Sequence, residues 1–351
     1  MRDRLVFTAS VLFALLSSAV LAASQTYTTL DPPNSSETIV QAISANGTIA
    51  GYYQPVGSQA SQCFVIDPSG NYRFYDIPFA YSTVVYFVNN AGSTTGSYFS
   101  QGGLGHEYAR DHSGKIDFYD PPRAKRTYTR PAGINDLGEV TGEHSDSHFV
   151  QHGFTADLFG ALTVFDPPGA VSTTGISIND SGVVAGGYFT YTGGNPPHAF
   201  VRDQFGNITT FDAPDAGTAG NQGTSAIAIN SVGQIAGYYG DSNSINHGFL
   251  RGVDGTVTEF DAPDAAQIAN YGTFAAGSNS AGQVVGYYVD SNGLVHGFLR
   301  DQHGNFTEFD DPDASGTGQY QGTYAFGISN TGVIVGFYYD SSSNVHGYKR
   351  Q

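Results

Sequence analysis

Residues 223–264 read GTSAIAINSVGQIAGYYGDSNSINHGFLRGVDGTVTEFDAPD, and this stretch decides the fold because the chain repeats it. The next copy, at 272–313, reads GTFAAGSNSAGQVVGYYVDSNGLVHGFLRDQHGNFTEFDDPD, and the last, at 322–351, reads GTYAFGISNTGVIVGFYYDSSSNVHGYKRQ. Earlier copies diverge more, but one His and one Asp recur every 44 to 50 residues. The histidines are His106, His152, His198, His247, His296 and His346, with Gln62 in their place in the first copy. The aspartates are Asp31, Asp76, Asp120, Asp166, Asp212, Asp261 and Asp310.

Each copy contains four strand-like runs separated by turn residues. In the fifth copy they are 225–229, 234–239, 247–251 and 257–261, here called strands a to d. The a–b and c–d connections suit tight hairpins with glycine at positive φ. Four antiparallel strands per repeat of this length are typical of a propeller blade rather than of a helical solenoid. The sequence therefore predicts an all-β, seven-bladed β-propeller, with a different closed or stacked β array as the alternative.

The two ends of the repeat array predict how the ring closes. The last copy stops after strand c, and the run at 26–31 supplies the missing strand d. An N-terminal strand that completes the last blade leaves no open sheet edge. We therefore expect residues 24–351 to form a single propeller domain.

The repeat pattern IN-x-x-G-x-(I/V)-x-G-(Y)Y, then H-(G/A)-F-L, then G-x-x-T-x-FD, resembles the HAF-repeat family of bacterial extracellular proteins. It is clearest at 229–239 with 247–250, and residues 198–200 match the tripeptide of the family name. In blade size it is loosely similar to kelch-type propellers. The resemblance implies export and a repeat fold, but no agreed activity. The chain lacks the family's Trp and its Asp-Leu-Gly ending, which places it in a divergent branch.

The composition agrees with this fold and excludes other classes of protein. The chain has 46 Gly, 23 Tyr and 24 Phe, and charged residues make up 13% of it, against a usual value of about 25%. Helical bundles need charged, Gly-poor faces, and disordered chains hold few aromatic residues. A formal net charge of -17 opposes nucleic-acid binding, because an acidic surface repels phosphates.

Residues 1–23 predict export. Two arginines precede an apolar run at 5–21, and Ala22 and Ala23 follow, which is the order of a secretory signal peptide. A membrane anchor is the alternative, but about 17 residues are marginal for a span. We expect a secreted, monomeric protein, extracellular or periplasmic, without membrane insertion. Cys63 has no second cysteine to pair with, so no disulfide within the chain is expected.

The recurring His and Asp predict a structural contact rather than repeated active sites. If 301–305 is a type I turn with a glycine bulge, strand pairing sets His296 opposite Asp310. A neighbouring carboxylate raises the pKa of an imidazole and holds its tautomer. The expected clasps are His106 with Asp120, His152 with Asp166, His198 with Asp212, His247 with Asp261, His296 with Asp310, and His346 with Asp31.

Two other repeated polar elements also favour structural roles. The tyrosines of the GYY element are expected to pack between blades rather than to form a binding strip: Tyr52, Tyr53, Tyr238, Tyr239, Tyr287 and Tyr288. The Asp-Ser-Asn turns at 241–243 and 290–292 resemble fragments of calcium loops but lack the alternating carboxylates. Asx turns explain them, so no cofactor or metal is expected, with calcium as the alternative.

The third copy departs most from the repeat, in two connections that should lie on one face. Residues 121–130 read PPRAKRTYTR, and residues 143–148 read EHSDSH where other copies have Tyr-Tyr-x-Asp-Ser. Arginines there would bind anionic groups, and His or Tyr could transfer protons. The candidate substrate-binding residues are Arg123, Lys125, Arg126, Arg130, Phe79 and Tyr81, and the candidate catalytic residues are His144, His148 and Tyr128. A solvated loop without such a role is the alternative.

Three functions follow from these residues. The first is a binding module for an extracellular glycan or protein, with its site on the loop face. The second is a polysaccharide lyase, in which Arg126 or Arg130 neutralises a uronic-acid carboxylate while His144 or His148 takes the α-proton. The third is a structural protein of the cell envelope.

Overall fold

Every regular element in the described residues is a β-strand, which confirms the all-β prediction. The computed structural model describes residues 25–101, 105–118, 129–157, 162–191, 196–220 and 222–351. Within these ranges, no helix is long and apolar enough to cross a membrane. Glycine at positive φ was predicted in the a–b and c–d turns. Gly233 and Gly304, which lie in one turn of each kind, both have a φ of 91°. The predicted leader at 1–23 lies outside the described residues.

The strands follow one another in groups of four, called units here and numbered in chain order. The strand nearest the N-terminus is β1 (Tyr27–Thr29). The first unit has β2 (Ser35–Ile43), β3 (Ile49–Pro55), β4 (Gln62–Ile66) and β5 (Tyr72–Tyr75). The second has β6 (Ser82–Val88), β7 (Thr94–Phe99), β8 (Gly105–Arg110) and β9 (Ile116–Phe118). The third has β10 (Thr129–Ile134), β11 (Glu139–Ser145), β12 (Gln151–Asp157) and β13 (Thr163–Phe165).

The later units repeat the same order of strands. The fourth unit has β14 (Ser172–Ile178), β15 (Val184–Phe189), β16 (His198–Arg202) and β17 (Ile208–Phe211). The fifth has β18 (Gly223–Ile229), β19 (Ile235–Gly240), β20 (Asn246–Arg251) and β21 (Val257–Phe260). The sixth has β22 (Gly272–Ser278), β23 (Val284–Val289), β24 (Val295–Arg300) and β25 (Phe306–Phe309). The last has β26 (Thr323–Ile328), β27 (Ile334–Tyr339) and β28 (Val345–Arg350).

Consecutive strands of a unit pair antiparallel, and the last unit takes its fourth strand from the other end of the chain. In that sheet the order is β1-β28-β27-β26. Tyr27 lies opposite Arg350, and Thr29 lies opposite Tyr348. Pro32 and Pro33 follow β1, and prolines lack the amide hydrogen that would extend the pairing.

Two of the sheets hold eight strands instead of the four predicted for a blade. A single parallel pairing joins the third unit to the fourth, between Gln151 and Ser172, and another joins the fifth to the sixth, between Asn246 and Gly272. In each case the start of strand c lies beside the start of the next unit's strand a. The separate four-stranded sheets that the repeat predicts are therefore linked at this end of the strands.

Asparagine side chains at the a–b turns connect neighbouring units. Asn230 Nδ2 donates to the carbonyl oxygen of Asn279 at 2.8 Å, and Asn279 Nδ2 donates to that of Ser329 at 3.1 Å. The same bond recurs earlier, from Asn89 to Asn135, Asn135 to Asn179, and Asn179 to Asn230. The last unit contacts the first through a backbone bond instead: the backbone N–H of Asn330 donates to Ala45 O at 3.0 Å.

The hydrophobic core lies between the sheets. The aromatic residue of each HGF-like element is fully buried, and these residues are Phe64, Tyr108, Phe154, Phe200, Phe249, Phe298 and Tyr348. In several units an arginine two residues further along strand c, on the same face, stacks on a ring of the preceding unit. Arg251 Cζ lies 4.9 Å from the centroid of Phe211, and Arg350 Cζ lies 4.3 Å from that of Phe309.

Candidate functional site

A cavity of about 560 Å³ lies where the first strands of the units meet. Side chains from β2, β6, β10, β14, β18, β22 and β26 all line it. A smaller cavity of about 160 Å³ lies at the a–b turns. The aliphatic residues Ile43, Val88, Ile134, Ile178, Ile229 and Ile328 line both cavities and form a collar between them. The sixth unit contributes Ser278 to this collar.

One side of the larger cavity is polar and is called the polar wall here; Tyr86, Arg130, Glu143 and Thr174 line it. Arg130 Nη1 lies 3.9 Å from Glu143 Oε1, and its Nε lies 3.6 Å from Glu107 Oε1. Thr174 Oγ1 donates to Glu143 Oε2 at 2.9 Å. The guanidinium therefore stands between two carboxylates that other side chains hold in place.

The hydrogen bonds of the polar wall continue behind Arg130. Ser97 Oγ donates to Glu107 Oε2 at 2.6 Å and lies 2.7 Å from Tyr86 Oη. Arg130 Cζ lies 5.8 Å from the centroid of the Tyr86 ring. Burial opposes the charge on Arg130, but Tyr86 and the two carboxylates outweigh it, so the pKa of Arg130 is raised. The guanidinium is thus a fixed cation whose charge its neighbours already balance.

The other side of the cavity is aromatic and is called the aromatic wall here; Tyr238, Phe274, Tyr287 and Phe326 line it. The rings of Phe274 and Tyr287 stack at 5.0 Å, and Tyr238 meets Phe274 edge-on at 5.1 Å. Behind this layer, Tyr324 packs against Tyr287 at 4.9 Å. Interlocked rings of this kind hold one another in place and form a large apolar surface.

Both walls are built from the same repeat positions. The position of Tyr238 and Tyr287 on strand b is Ser97 in the second unit and Glu143 in the third. The side chain at this one position of strand b therefore decides whether that part of the wall is aromatic or polar. The sequence holds one sign of the polar wall: Glu107 stands where most copies of the HGF-like element have Gly or Ala.

Of the predicted basic cluster, the structure describes Arg130 alone. Arg123, Lys125, Arg126 and Tyr128 lie outside the described residues. Arg130 was expected in a loop, and Glu143 and His144 in another. The structure places Arg130 in β10 and the other two in β11, because these strands extend to Thr129 and Ser145. Arg130 therefore points into the cavity from a strand.

The predicted convergence of Arg130 with the candidate catalytic histidines is not observed. Arg130 pairs with Glu143 in the ladder, and Thr129 pairs with His144, so Arg130 and His144 lie on opposite faces of the sheet. His144 Nδ1 lies 2.9 Å from Thr129 Oγ1. Burial and the nearby His152 lower the pKa of His144. His148 sits in the b–c turn, 83% exposed, with Nδ1 3.5 Å from Asp146 Oδ2.

The His–Asp contacts occur in each copy whose two partners are described. Nδ1 of the histidine lies 2.6 to 2.9 Å from the carboxylate in His152–Asp166, His198–Asp212, His247–Asp261, His296–Asp310 and His346–Asp31. Asp120 lies outside the described residues, and His106 stacks on Tyr98 at 4.9 Å. A tyrosine of strand b also packs on His198, His247, His296 and His346, for example Tyr288 on His296 at 5.0 Å, whereas His152 has His144 opposite it. The repetition of one geometry favours a structural role.

The GYY tyrosines divide between two environments. The second tyrosine is buried against its histidine at Tyr239 and Tyr288, whereas the first lines the cavity at Tyr238 and Tyr287. In the first unit, Tyr52 is half-buried and Tyr53 Oη donates to Gln62 Oε1 at 2.7 Å. Packing alone therefore does not describe Tyr238 and Tyr287, which line the cavity.

Phe79 and Tyr81 lie in the d–a connection after the first unit, between β5 and β6. The Phe79 side chain is fully exposed, with a φ of 66°, and Tyr81 is half exposed. Phe149, Tyr191 and Tyr320 are also exposed in b–c or d–a connections, and Phe99 and Phe189 are exposed at the ends of β7 and β15. Exposed aromatic side chains are thus concentrated on the loop face.

The Asp-Ser-Asn turns have the Asx geometry expected of them. Asp241 Oδ1 accepts the amides of Asn243 and Ile245, both at 2.8 Å. Asp290 does the same with Asn292 and Leu294. Among the described residues, no group of three or more His, Cys, Asp and Glu could hold a metal ion.

No family model and no curated protein matches the chain. Solved structures do match. The β-propeller domain of the Trilobed protease from Pyrococcus furiosus is 11% identical, with 89% of this chain and 95% of that chain covered and a TM-score of 0.57. Oligogalacturonate lyase from Vibrio parahaemolyticus is 10% identical, with coverage of 93% and 97% and a TM-score of 0.58.

A lectin, BP39L from Burkholderia pseudomallei, is a third match. It is 9% identical, with 90% of this chain and 96% of that chain covered, and its TM-score is 0.52. Identities this low carry information on the fold and not on activity. Together with the four-stranded antiparallel units, these matches show that the chain has a β-propeller fold.

Proposed function

We propose that this protein is an exported, seven-bladed β-propeller that binds an extracellular glycan in its central cavity and across the loop face around it. The observation that carries the proposal is the two-sided lining of the 560 Å³ cavity, with the aromatic wall on one side and the polar wall on the other. Sugar rings combine C–H faces, which pack on aromatic rings, with hydroxyls that need hydrogen-bond partners.

Three contacts support a closed ring of seven blades. Each described unit repeats the antiparallel order of four strands, and β1 supplies the fourth strand of the last one. Asparagine side chains such as Asn230 donate to the next unit, and the backbone N–H of Asn330 in the last unit donates to Ala45 in the first. Val335 of the last unit also packs against Val40 and Leu30.

Export is proposed from residues 1–23 alone, which have the composition of a signal peptide. Membership of the HAF-repeat family stays a prediction as well. Two of the fold neighbours are named as a lectin and an oligogalacturonate lyase, but at 9% and 10% identity they lend only the fold.

The lyase is the weaker hypothesis. It needs an arginine beside a proton-accepting histidine. Arg130 and His144 lie on opposite faces of their sheet, and Arg126 and Tyr128, which the hypothesis also uses, lie outside the described residues. A protein ligand or an envelope role draws on the exposed aromatic residues of the loop face but leaves the lining of the cavity unexplained.

The test is retention of the purified protein on a panel of immobilised neutral, amino-sugar and uronic-acid polysaccharides. We expect retention on at least one, lost in Tyr287→Ala and kept in Phe205→Ala, an aromatic change in a c–d turn outside the cavity. Absence of retention across the panel, or retention unchanged in both variants, would overturn the proposal. Unsaturated product from a uronic-acid polysaccharide would establish the lyase instead.

A further inference from the structure

Tyr320 is an exposed aromatic residue in a backbone conformation that favours another residue type. It lies in the d–a connection between β25 and β26, is 45% exposed and has a φ of 59°. Its amide donates to Gly293 O at 2.7 Å. One unit earlier, Asn270 donates in the same way to Ser244 O at 2.7 Å, with a φ of 68°. Asparagine adopts this left-handed conformation readily, whereas a bulky side chain does so at a cost. The backbone contact therefore does not explain the tyrosine.

Neighbouring side chains hold Tyr320 beside a second tyrosine. The rings of Tyr320 and Tyr271 meet edge-on at 5.8 Å and are called the outer pair here. Gln319 Nε2 donates to Tyr271 Oη at 2.9 Å, and Tyr324 Oη donates to Tyr320 O at 2.8 Å. A tyrosine offers an apolar ring and a polar hydroxyl at little cost in conformational entropy, which suits it to binding surfaces.

The outer pair continues the aromatic wall of the cavity. Tyr324 lies between the two, because its ring packs against Tyr287 at 4.9 Å and against Phe326 at 6.3 Å, and both of these residues line the cavity. Its hydroxyl contacts Tyr320. Aromatic residues therefore follow one another from the cavity to the loop face, the side of the propeller that carries the d–a and b–c connections.

The end of the cavity near the a–b turns is unsuited to a sugar chain. The collar there is aliphatic except for Ser278. Sugar hydroxyls buried against it would lose their bonds to water without gaining partners. The cavity volume of about 560 Å³ is that of a site for one small ligand, which is about 300–1,000 Å³. A long glycan would therefore place one end in the cavity and leave it across the loop face.

We propose that Tyr271 and Tyr320 form an outer subsite, so that the protein binds the end of a linear glycan of several sugar units in preference to a disaccharide. This inference rests on the proposed glycan-binding function and narrows it. The terminal sugars contact the aromatic wall at Tyr287, and sugars further along the chain contact the rings of the outer pair.

The test measures by calorimetry the affinities for dimers and hexamers of β-1,4-linked glucose, β-1,4-linked N-acetylglucosamine and α-1,4-linked galacturonate. In the series that binds, we expect the hexamer to bind at least tenfold more tightly than the dimer. Tyr320→Asn introduces the residue found at the equivalent position 270, so the backbone conformation is kept. It should weaken binding of the hexamer about fivefold and leave the dimer unchanged. Tyr287→Ala should weaken binding of both, because its ring lines the cavity.

Phe205→Asn is the matched control, because Phe205 is an exposed aromatic residue in a c–d turn outside the cavity lining. It should change neither affinity. Urea unfolding separates a binding role of Tyr320 from a packing role. Tyr320→Asn should keep or raise the midpoint, since asparagine suits the backbone there. A lower midpoint would mean that the ring stabilises the fold, and it would overturn the inference.

Two results would contradict the outer subsite and leave the proposed function standing, provided that Tyr287→Ala abolishes binding. One is equal affinity for dimer and hexamer, and the other is an unchanged hexamer affinity in Tyr320→Asn. If none of the oligomers binds, both the inference and the proposed function fail.

Discussion

Nδ1 of His296 lies 2.8 Å from Oδ2 of Asp310, and its Nε2 lies 3.8 Å from Oδ2 of Asp290. The imidazole thus has a carboxylate at each nitrogen. His247 has the same two partners in Asp261 and Asp241. The hydrogen bond that the imidazole donates to the carboxylate after strand d raises the pKa of His296 and of His247 against the opposing effect of burial. When it is protonated, the histidine therefore binds a carboxylate after strand d and one in the b–c turn at the same time.

This geometry predicts that the protein loses stability as the pH rises through neutrality. A folded pKa above the unfolded value of about 6.5 gives a contribution that is full below that value and disappears above the folded pKa. Burial opposes the charge on His346, but Asp31 and Asp340 outweigh it and raise its pKa too. We expect the free energy of unfolding by urea to fall between pH 5.5 and 8.5, by on the order of 0.5 kcal/mol for each such histidine.

The control for this prediction is the loss of the three titrating groups. His247→Gln, His296→Gln and His346→Gln combined should flatten the pH profile between pH 5.5 and 8.5. His303→Gln, in a c–d turn away from these pairs, should leave the slope as it is. A triple variant with the slope of the parent would show that the clasps do not supply it.

The His–Asp pair was open to prediction because turn arithmetic fixes which residues of a hairpin lie opposite each other. His296 and Asp310 flank one c–d turn, so their register follows from its length. The cavity was not predictable in this way. Tyr287 and Glu143 occupy the same repeat position, and only the arrangement of units shows that this position faces a shared space. Residues 143–144 were read as a loop because their polarity hid the strand.

The inter-unit arginines were missed for a different reason. Strand c ends in an arginine at Arg202, Arg251 and Arg300, after an otherwise apolar run. From the sequence alone, a charged residue at the end of a strand is expected to be exposed to solvent. In the fold they stack on Phe165, Phe211 and Phe260 of the preceding unit. The contact joins residues about 40 apart in sequence, which no local pattern encodes.

We predict that Arg251 and Phe211 are energetically coupled. Arg251 is 9% exposed, and its Nε has no hydrogen-bond partner among the described residues, so the stacked ring is a main contact of the guanidinium. In a double-mutant cycle with Arg251→Met and Phe211→Leu, urea unfolding should give a coupling of about 0.5–1 kcal/mol. Phe309 lies under Arg350 in another interface. The effects of Phe309→Leu and Arg251→Met on the free energy of unfolding should therefore be additive. Equal coupling in both cycles would contradict the pairwise contact.

We predict that Gly286, the glycine of a GYY element, does not tolerate a side chain. Strand a of the sixth unit has a register shift between Ala275 and Gly277, which brings the Phe274 carbonyl over Gly286. A Cβ there would overlap that oxygen, so Gly286→Ala should cost about 3 kcal/mol in urea unfolding. Gly316→Ala is the control, since a Cβ at that position meets nothing within 4 Å. A loss at Gly286 no larger than at Gly316 would show that the bulge can relax.

The asparagine bonds between units lead to the last prediction, which concerns Asn230. Asn230 is only 5% exposed. Its Nδ2 donates to the backbone carbonyl of Asn279 at 2.8 Å and to Gln234 Oε1 at 3.0 Å. Its Oδ1 accepts from the backbone amide of Gln234 at 2.9 Å. Asn230→Ala would leave a buried carbonyl of the next unit without this donor, which costs about 1–3 kcal/mol.

Asn230→Asp separates the inter-unit bond from the turn within the unit. The aspartate keeps an oxygen for the Gln234 amide but sets a carboxylate against Asn279 O, so it should destabilise at least as much as alanine does above pH 6. Asn46→Ala is the comparison, because its Nδ2 bond to Asn90 O, 2.9 Å long, is exposed to solvent. We expect its loss to be less than half that of Asn230→Ala in urea unfolding. Equal losses at the two positions would mean that burial of the inter-unit bond contributes nothing to stability.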